Sequence, residues 1–214
     1  MKVLSTFSNS VLCLDTATGA AFEIESGRGT YFGIARSRRG IEIAARRRIV
    51  SDINSKGYGK GCLLIVSHEG SVTEIEPGEE ILDAHAMCHF DGNTYVTSTL
   101  DDSIVIFDEN DRWEKWFPFG CAFPSFQDRF HLNSVLVRNG EINVLGHNHG
   151  ESLLFQFDKH RTLFRIIPFG RISHGLYVPF GRMLTLSSGD GVVLEIDGSA
   201  KKVGGFLRGF AVEN

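Results

Sequence analysis

Proline, cysteine and methionine are scarce in this chain of 214 residues, at 5, 4 and 3 copies. No run of about 18 apolar residues occurs, so no membrane-spanning helix is expected. The cysteines, Cys13, Cys62, Cys88 and Cys121, are scattered. That spacing offers neither a disulfide framework nor a thiolate zinc site, and a reduced thiol in a strand packs as a small hydrophobe. The net charge of −4 lacks the basic footprint that nucleic-acid or anionic-membrane binding needs, so neither partner is expected. A helical His-Glu-x-x-His element, a nucleophile motif and a facing pair of carboxyls are also missing. Met1 to Leu14 reads as two strands rather than a leader, which makes a cytoplasmic location the expectation.

What the chain does contain is one short pattern written five times. A polar or aromatic residue is followed by a very small one and then by apolar residues: Phe32-Gly33-Ile34, His85-Ala86-Met87, Asn133-Ser134-Val135, His174-Gly175-Leu176 and Arg208-Gly209-Phe210. Behind each copy come a turn and further strand-like runs, such as Gly92 to Val96, Ser103 to Asp108 and Arg112 to Phe117. Alternating polarity with β-branched and aromatic content favours strands over helices. A repeated four-strand unit predicts an all-β, five-bladed β-propeller in a single domain spanning 1–214. The expected blades cover about 206–214 plus 1–26, then 27–78, 79–124, 125–170 and 171–205. The first blade would then be closed by strands from both ends of the chain, which removes an open sheet edge. A sixth blade hidden between Arg46 and Gly61 is the alternative. Small residues at 33, 86, 134, 175 and 209 fit inner strands crowded around an axis.

Antiparallel order sorts the polar residues between the two faces of such a disc. First-strand starts and the loops joining second to third strands share one face, the top. His85, Asn133, His174 and Arg208 stand at strand starts, and His131 precedes Asn133 by two residues. Arg46 to Arg48, Asp101, Asp102, His147, His149 and Asp190 come from the loops. Five of the eight histidines therefore converge on one mouth of the channel. Pairs such as His131 and Asn133, or His147 and His149, project to one side in extended backbone.

Three roles stay open for the cluster: hydrogen bonds that lock the ring, direct ligand contact, and ligation of a divalent metal by His85, His131, His147 and His174. Arg208 and Arg46 suit a carboxylate, phosphate or sulfate on a ligand. His85, His174 and Arg208 are the candidates for acid–base chemistry. Asp83, Asp101 and Asp190 read as ordinary turn residues, and Arg36, Arg38 and Arg39 as a solvated turn on the opposite face. His89, roughly 13 Å deeper than His85, reads as a core histidine paired with backbone.

Asp128-Arg129-Phe130-His131-Leu132-Asn133-Ser134 and Gly146-His147-Asn148-His149-Gly150 resemble segments of a bacterial β-propeller family broadly similar to NHL and SMP-30-like propellers. The resemblance extends over most of the chain from Ala44 onward. It implies the propeller fold and brings no established activity. Lactonases among SMP-30-like propellers hold their metal with Glu, Asn and Asp, and Asn133 alone supplies that chemistry here. The expected function is a propeller binding a small polar or anionic molecule, a sugar or metabolite, through His85, His131, Asn133, His147, His149, His174, Arg208 and Arg46. A lyase or hydrolase using the same residues and a protein-interaction scaffold are the alternatives, so the residues do not decide whether the chain is an enzyme.

Overall fold

Among the described residues nineteen strands form five antiparallel sheets arranged as a five-bladed β-propeller. The computed structural model describes residues 2–6, 9–46, 61–120, 128–147 and 150–207. Blade 1 shows β1 (Lys2–Thr6), β2 (Ser10–Asp15) and β3 (Ala21–Ser26). Blade 2 holds β4 (Thr30–Ser37), β5 (Gly40–Arg46), β6 (Gly61–Val66) and β7 (Val72–Ile75). Blade 3 holds β8 (Ala84–Phe90), β9 (Asn93–Ser98), β10 (Ser103–Asp108) and β11 (Trp113–Trp116). Blade 4 holds β12 (Leu132–Arg138), β13 (Glu141–His147), β14 (Ser152–Phe157) and β15 (Leu163–Pro168). Blade 5 holds β16 (His174–Tyr177), β17 (Leu184–Ser187), β18 (Val192–Glu195) and β19 (Ala200–Lys202).

Every sheet is a simple meander whose spatial order is its chain order. The three strands of blade 1 pair as second, third and fourth strands do elsewhere; the closing first strand expected near 207–213 lies outside the described residues, apart from Leu207. Arg46 and Gly61 face each other across β5 and β6. The connection 47–60 therefore joins neighbouring strands of one sheet, which answers the six-blade alternative. Among the described residues no helix is long and apolar enough to cross a membrane.

Alternation along the strands puts apolar side chains on both faces of each blade, and these meet in the seams between blades. Val11, Tyr31, Ile43 and Leu64 fill the seam of blades 1 and 2; Leu63, Met87, Val96 and Phe107 fill the next. Ile104, Val144, Phe155 and Phe157 occupy the seam of blades 3 and 4, and Leu145, Leu154 and Leu176 that of blades 4 and 5. Each fully buried side chain of this size contributes about 1.5–3 kcal/mol. Cys13 and Cys62 are buried and Cys88 is half-buried; Cys121 lies outside the described residues.

Inner strands β4, β8 and β12 and β16 stand side by side around a central channel of about 740 Å³. Their crowding shows at Gly33, where a Cβ would fall 2.8 Å from the backbone nitrogen of Met87 in the next blade. Gly175 has a different reason: its φ of 75° is a left-handed conformation that suits glycine.

Candidate functional site

The repeated sequence pattern has a physical counterpart in a β-bulge. Pairing between first and second strands slips at Tyr31/Gly33, Ala84/Met87, Leu132/Ser134 and His174/Tyr177, each time with one extra residue on the inner strand. A bulge frees one side chain from the alternation of the ladder and re-aims it. Phe32, His85 and Asn133 sit on these insertions and His174 immediately precedes one. All four line the upper channel.

The rings of Phe32, His85 and His174 and those of two neighbours form an unbroken row across blades 2 to 5. Phe32 stacks on His85 at 5.4 Å between centroids; His85 meets His131 edge-on at 5.0 Å. His131 lies 4.7 Å from His147, which meets His174 edge-on at 5.3 Å. His147 is buried at the top of β13.

Arg46, at the top of β5, anchors one end. Its guanidinium lies 4.0 Å from the centre of the Phe32 ring, Nε pairs with Asp83, and Nη2 is 2.7 Å from Nε2 of His85. Asp83 Oδ2 is 3.3 Å from the same imidazole nitrogen. Burial pushes the His85 pKa below its ordinary 6.5, with Arg46 and His131 acting in the same direction against the pull of Asp83. His85 is therefore neutral at pH 7. Burial pushes Asp83 up, yet His85, Arg46 and His131 outweigh it and hold that carboxyl below its usual range.

Asp128 holds His131, with Nδ1 at 3.0 and 3.1 Å from the two carboxylate oxygens. The loop carrying both is fixed from blade 3, because Asp102 accepts the backbone N–H groups of Arg129 and Phe130 at 2.7 and 3.0 Å. Ser188 Oγ stands 3.0 Å from His174 Nδ1 and donates to the carbonyl of Leu207. Asn133 donates Nδ2–H to the carbonyl of Ser173 at 3.0 Å; its Oδ1 is buried without a hydrogen-bond partner.

Of the residues singled out from sequence, the structure brings together His85, His131, Asn133, His147, His174 and Arg46. His149 and Arg208, with Arg47 and Arg48, lie outside the described residues. The route of His131 into the cluster differs from the expected extended spacing: its φ is +44°, and Asn133 is on a bulge, so a left-handed turn and an insertion place the two side chains. Among the described residues no three His, Cys, Asp or Glu side chains are placed to hold a metal ion, His85, His131, His147 and His174 included. These four imidazoles make ring-to-ring contact instead.

Sequence reasoning missed Phe32, Asp83, Asp128 and Ser188 as members of the site. Asp-x-His at 83–85 and Asp-x-x-His at 128–131 were the available signals, since a carboxylate beside an imidazole in sequence can fix its orientation. Asp101 and Asp190 do serve their own loops, accepting from Ser98 and Ser103 and from Ser187.

At the lower end of the channel the outcome is different. His89 bonds a side chain, not the backbone: its Nδ1 is 2.8 Å from Thr94 Oγ1. Thr94 donates to buried Glu42 at 2.5 Å, and Arg39 donates Nε–H and Nη2–H to the other oxygen of that carboxylate. Arg39 also pairs with Asp111 at 2.9 Å and is only 21% exposed, so the solvated reading of this turn is corrected for Arg39; Arg38 is exposed.

No family model and no curated protein sequence matches the chain. Solved structures match at identities that establish the fold alone. A chain of a nidogen/laminin complex gives a TM-score of 0.72 at 11% identity, covering 96% of this chain and 79% of its own length. A luciferin-regenerating enzyme gives 0.66 at 10% identity, covering 88% of this chain and 66% of its own. Virginiamycin B lyase from Staphylococcus aureus gives 0.58 at 10% identity, covering 94% of this chain and 65% of its own. This chain thus spans about two thirds of the length of both enzymes. What it has in common with all three is the β-propeller architecture.

Proposed function

We propose that this propeller binds a small polar molecule, a sugar or a metabolite, at the upper mouth of its central channel. One observation carries the reading: the continuous row Phe32, His85, His131, His147, His174 is drawn from four blades, and three of its rings, Phe32, His85 and His174, line a channel of about 740 Å³. Convergent polar groups at one end of a concave, partly apolar space are the usual form of a ligand site. Propeller loops and strand ends vary independently of the scaffold, which suits them to that task. The charge of Arg46 is matched by Asp83. His149 and Arg208 complete the proposed set. The segment resembling the bacterial propeller family fits the reading, because Asp128, His131 and Asn133 all come from it.

The test is a small-molecule screen by thermal shift on the wild type and on His85→Ala/His174→Ala. The expected result is a double variant that melts within a few degrees of the wild type and no longer gains stability from a hit. Collapse of its melting temperature without any ligand would assign the imidazoles to ring bracing and overturn the proposal.

A second reading, a lyase or hydrolase using the same mouth, is favoured by the Asp128–His131 pair. A carboxylate that takes Nδ1–H fixes the tautomer and leaves Nε2 as the basic nitrogen, as a general base requires. Propellers named as a lyase and as part of a protein complex share the fold, so architecture does not choose between these roles. Under the enzyme reading Asp128→Ala lowers turnover of a substrate by about a hundredfold or more while its binding persists.

A further inference from the structure

His85 and Asn133 occupy corresponding bulges in adjacent blades, and each has one polar end spent on the protein. Which end is spent follows from proton counting. Arg46 is always protonated and can only donate. With its Nη2 2.7 Å from His85 Nε2, two N–H groups cannot face each other, so Nε2 accepts and the ring proton resides on Nδ1. Asp83, 3.3 Å from that nitrogen, takes its pairing from Arg46 Nε instead. For Asn133 the neighbour is a carbonyl, Ser173 O, which can only accept. The amide must turn Nδ2 toward it, leaving Oδ1 as the buried, unpartnered atom of a side chain whose residue is only 5% exposed.

The wall imidazole of blade 5, His174, gives a consistent answer. Ser188 has one hydroxyl proton and directs it to Leu207 O, so it accepts from His174 Nδ1–H. The Nδ1 of that ring is thereby assigned as a donor, as in His85.

We infer that the mouth reads its ligand through a donor and an acceptor on neighbouring blades, His85 Nδ1–H and Asn133 Oδ1, and that the ligand is an uncharged molecule carrying hydroxyl or amide groups. The inference rests on the binding reading above and narrows it to a chemical class. A hydroxyl or an amide both accepts and donates, so it satisfies both atoms. A carboxylate, or the unprotonated oxygens of a phosphate, offer acceptors to His85 and meet Asn133 Oδ1 with like partial charge. The nearest described cation gives it little help, because Arg46 is paired with Asp83 and stacked on Phe32. The negative charges of Asp83 and Asp128 each stand beside an imidazole of the row. Arg46 thus acts as a positioning residue that sets the tautomer of His85.

Nitrogen-15 NMR of the histidine rings and side-chain amides tests this directly, first on the free protein at neutral pH. His85 is expected as the Nδ1–H tautomer, and Arg46→Met is expected to convert it to Nε2–H, now donating to Asp83. N-acetylglucosamine, which carries hydroxyls and an amide, is then added at tens of millimolar, and inorganic phosphate separately. The expected result is that the sugar shifts the His85 and Asn133 signals, that Asn133→Leu weakens its binding about tenfold or more, and that phosphate shifts neither. An Nε2–H His85 in the free wild type overturns the inference even if Arg46→Met does not fold. Phosphate shifting these signals would leave the binding reading standing and overturn the neutral class. Silence of His85, His131, His147 and His174 to both probes would overturn both.

Discussion

The two ends of the channel are built from the same kinds of residue and differ in how their hydrogen bonds close. At the lower end Arg39, Glu42, Thr94 and His89 form a chain in which every donor named has an acceptor: Arg39 serves Glu42 and Asp111, Thr94 serves Glu42, and His89 serves Thr94. It links blades 2 and 3 and is completed by Arg39 lying 5.4 Å from the centre of the Phe107 ring. At the upper end Arg46, Asp83 and His85 begin a similar chain, yet it stops at His85, which lines the channel, and one blade further Asn133 Oδ1 has no partner. A buried polar network that closes on itself braces a fold. One that ends in open donors and acceptors is suited to receive something.

The largest expected effect comes from opening the closed end. Glu42→Ala strips the acceptor from Arg39 and Thr94 and should cost about 3–5 kcal/mol in chemical denaturation. A loss below about 1 kcal/mol would erase the distinction between the two ends. Next comes the wall between them: Gly33→Val drives side-chain atoms into the Met87 backbone and should cost about 1–3 kcal/mol on the same scale.

A smaller effect separates the ends by pH. His85 has a folded pKa below the 6.5 of the unfolded chain, so acid favours the unfolded state through this group. The stability it permits is present above 6.5 and is lost as pH falls from there through the lowered value. In His85→Gln the urea midpoint should decline less steeply over that window, and an unchanged slope would place the acid sensitivity elsewhere. Smallest of all is Asn133→Leu. Ser173 O keeps the Ser152 hydroxyl at 3.3 Å, and an unpaired acceptor disappears, so stability should move by less than about 1 kcal/mol. A large loss would make Asn133 a brace like Glu42.

The strands and the five-fold repeat were legible because alternation and small residues recur at fixed stations, and Gly33 is small for the reason that inner-strand crowding suggests. The bulges were not legible. They exist only in the pairing of β4 with β5, β8 with β9, β12 with β13 and β16 with β17, and no single strand displays them. Asp83 read as a turn residue because its backbone does turn, at a φ of +61°, and Asp128, at +40°, was given no role of its own. Their second task, holding an imidazole, depends on what the turn is aimed at. Arg39 was misread for a similar reason, since Asp111, the partner that draws it out of solvent, lies 72 residues away.

The extra residue inserted at each described inner strand has a consequence for how such a molecule changes over time. A partner strand skips that residue when it pairs, so exchanging Phe32, His85 or Asn133 for another side chain leaves the ladder on either side undisturbed. Recognition can drift one sheet at a time while foldability is inherited intact.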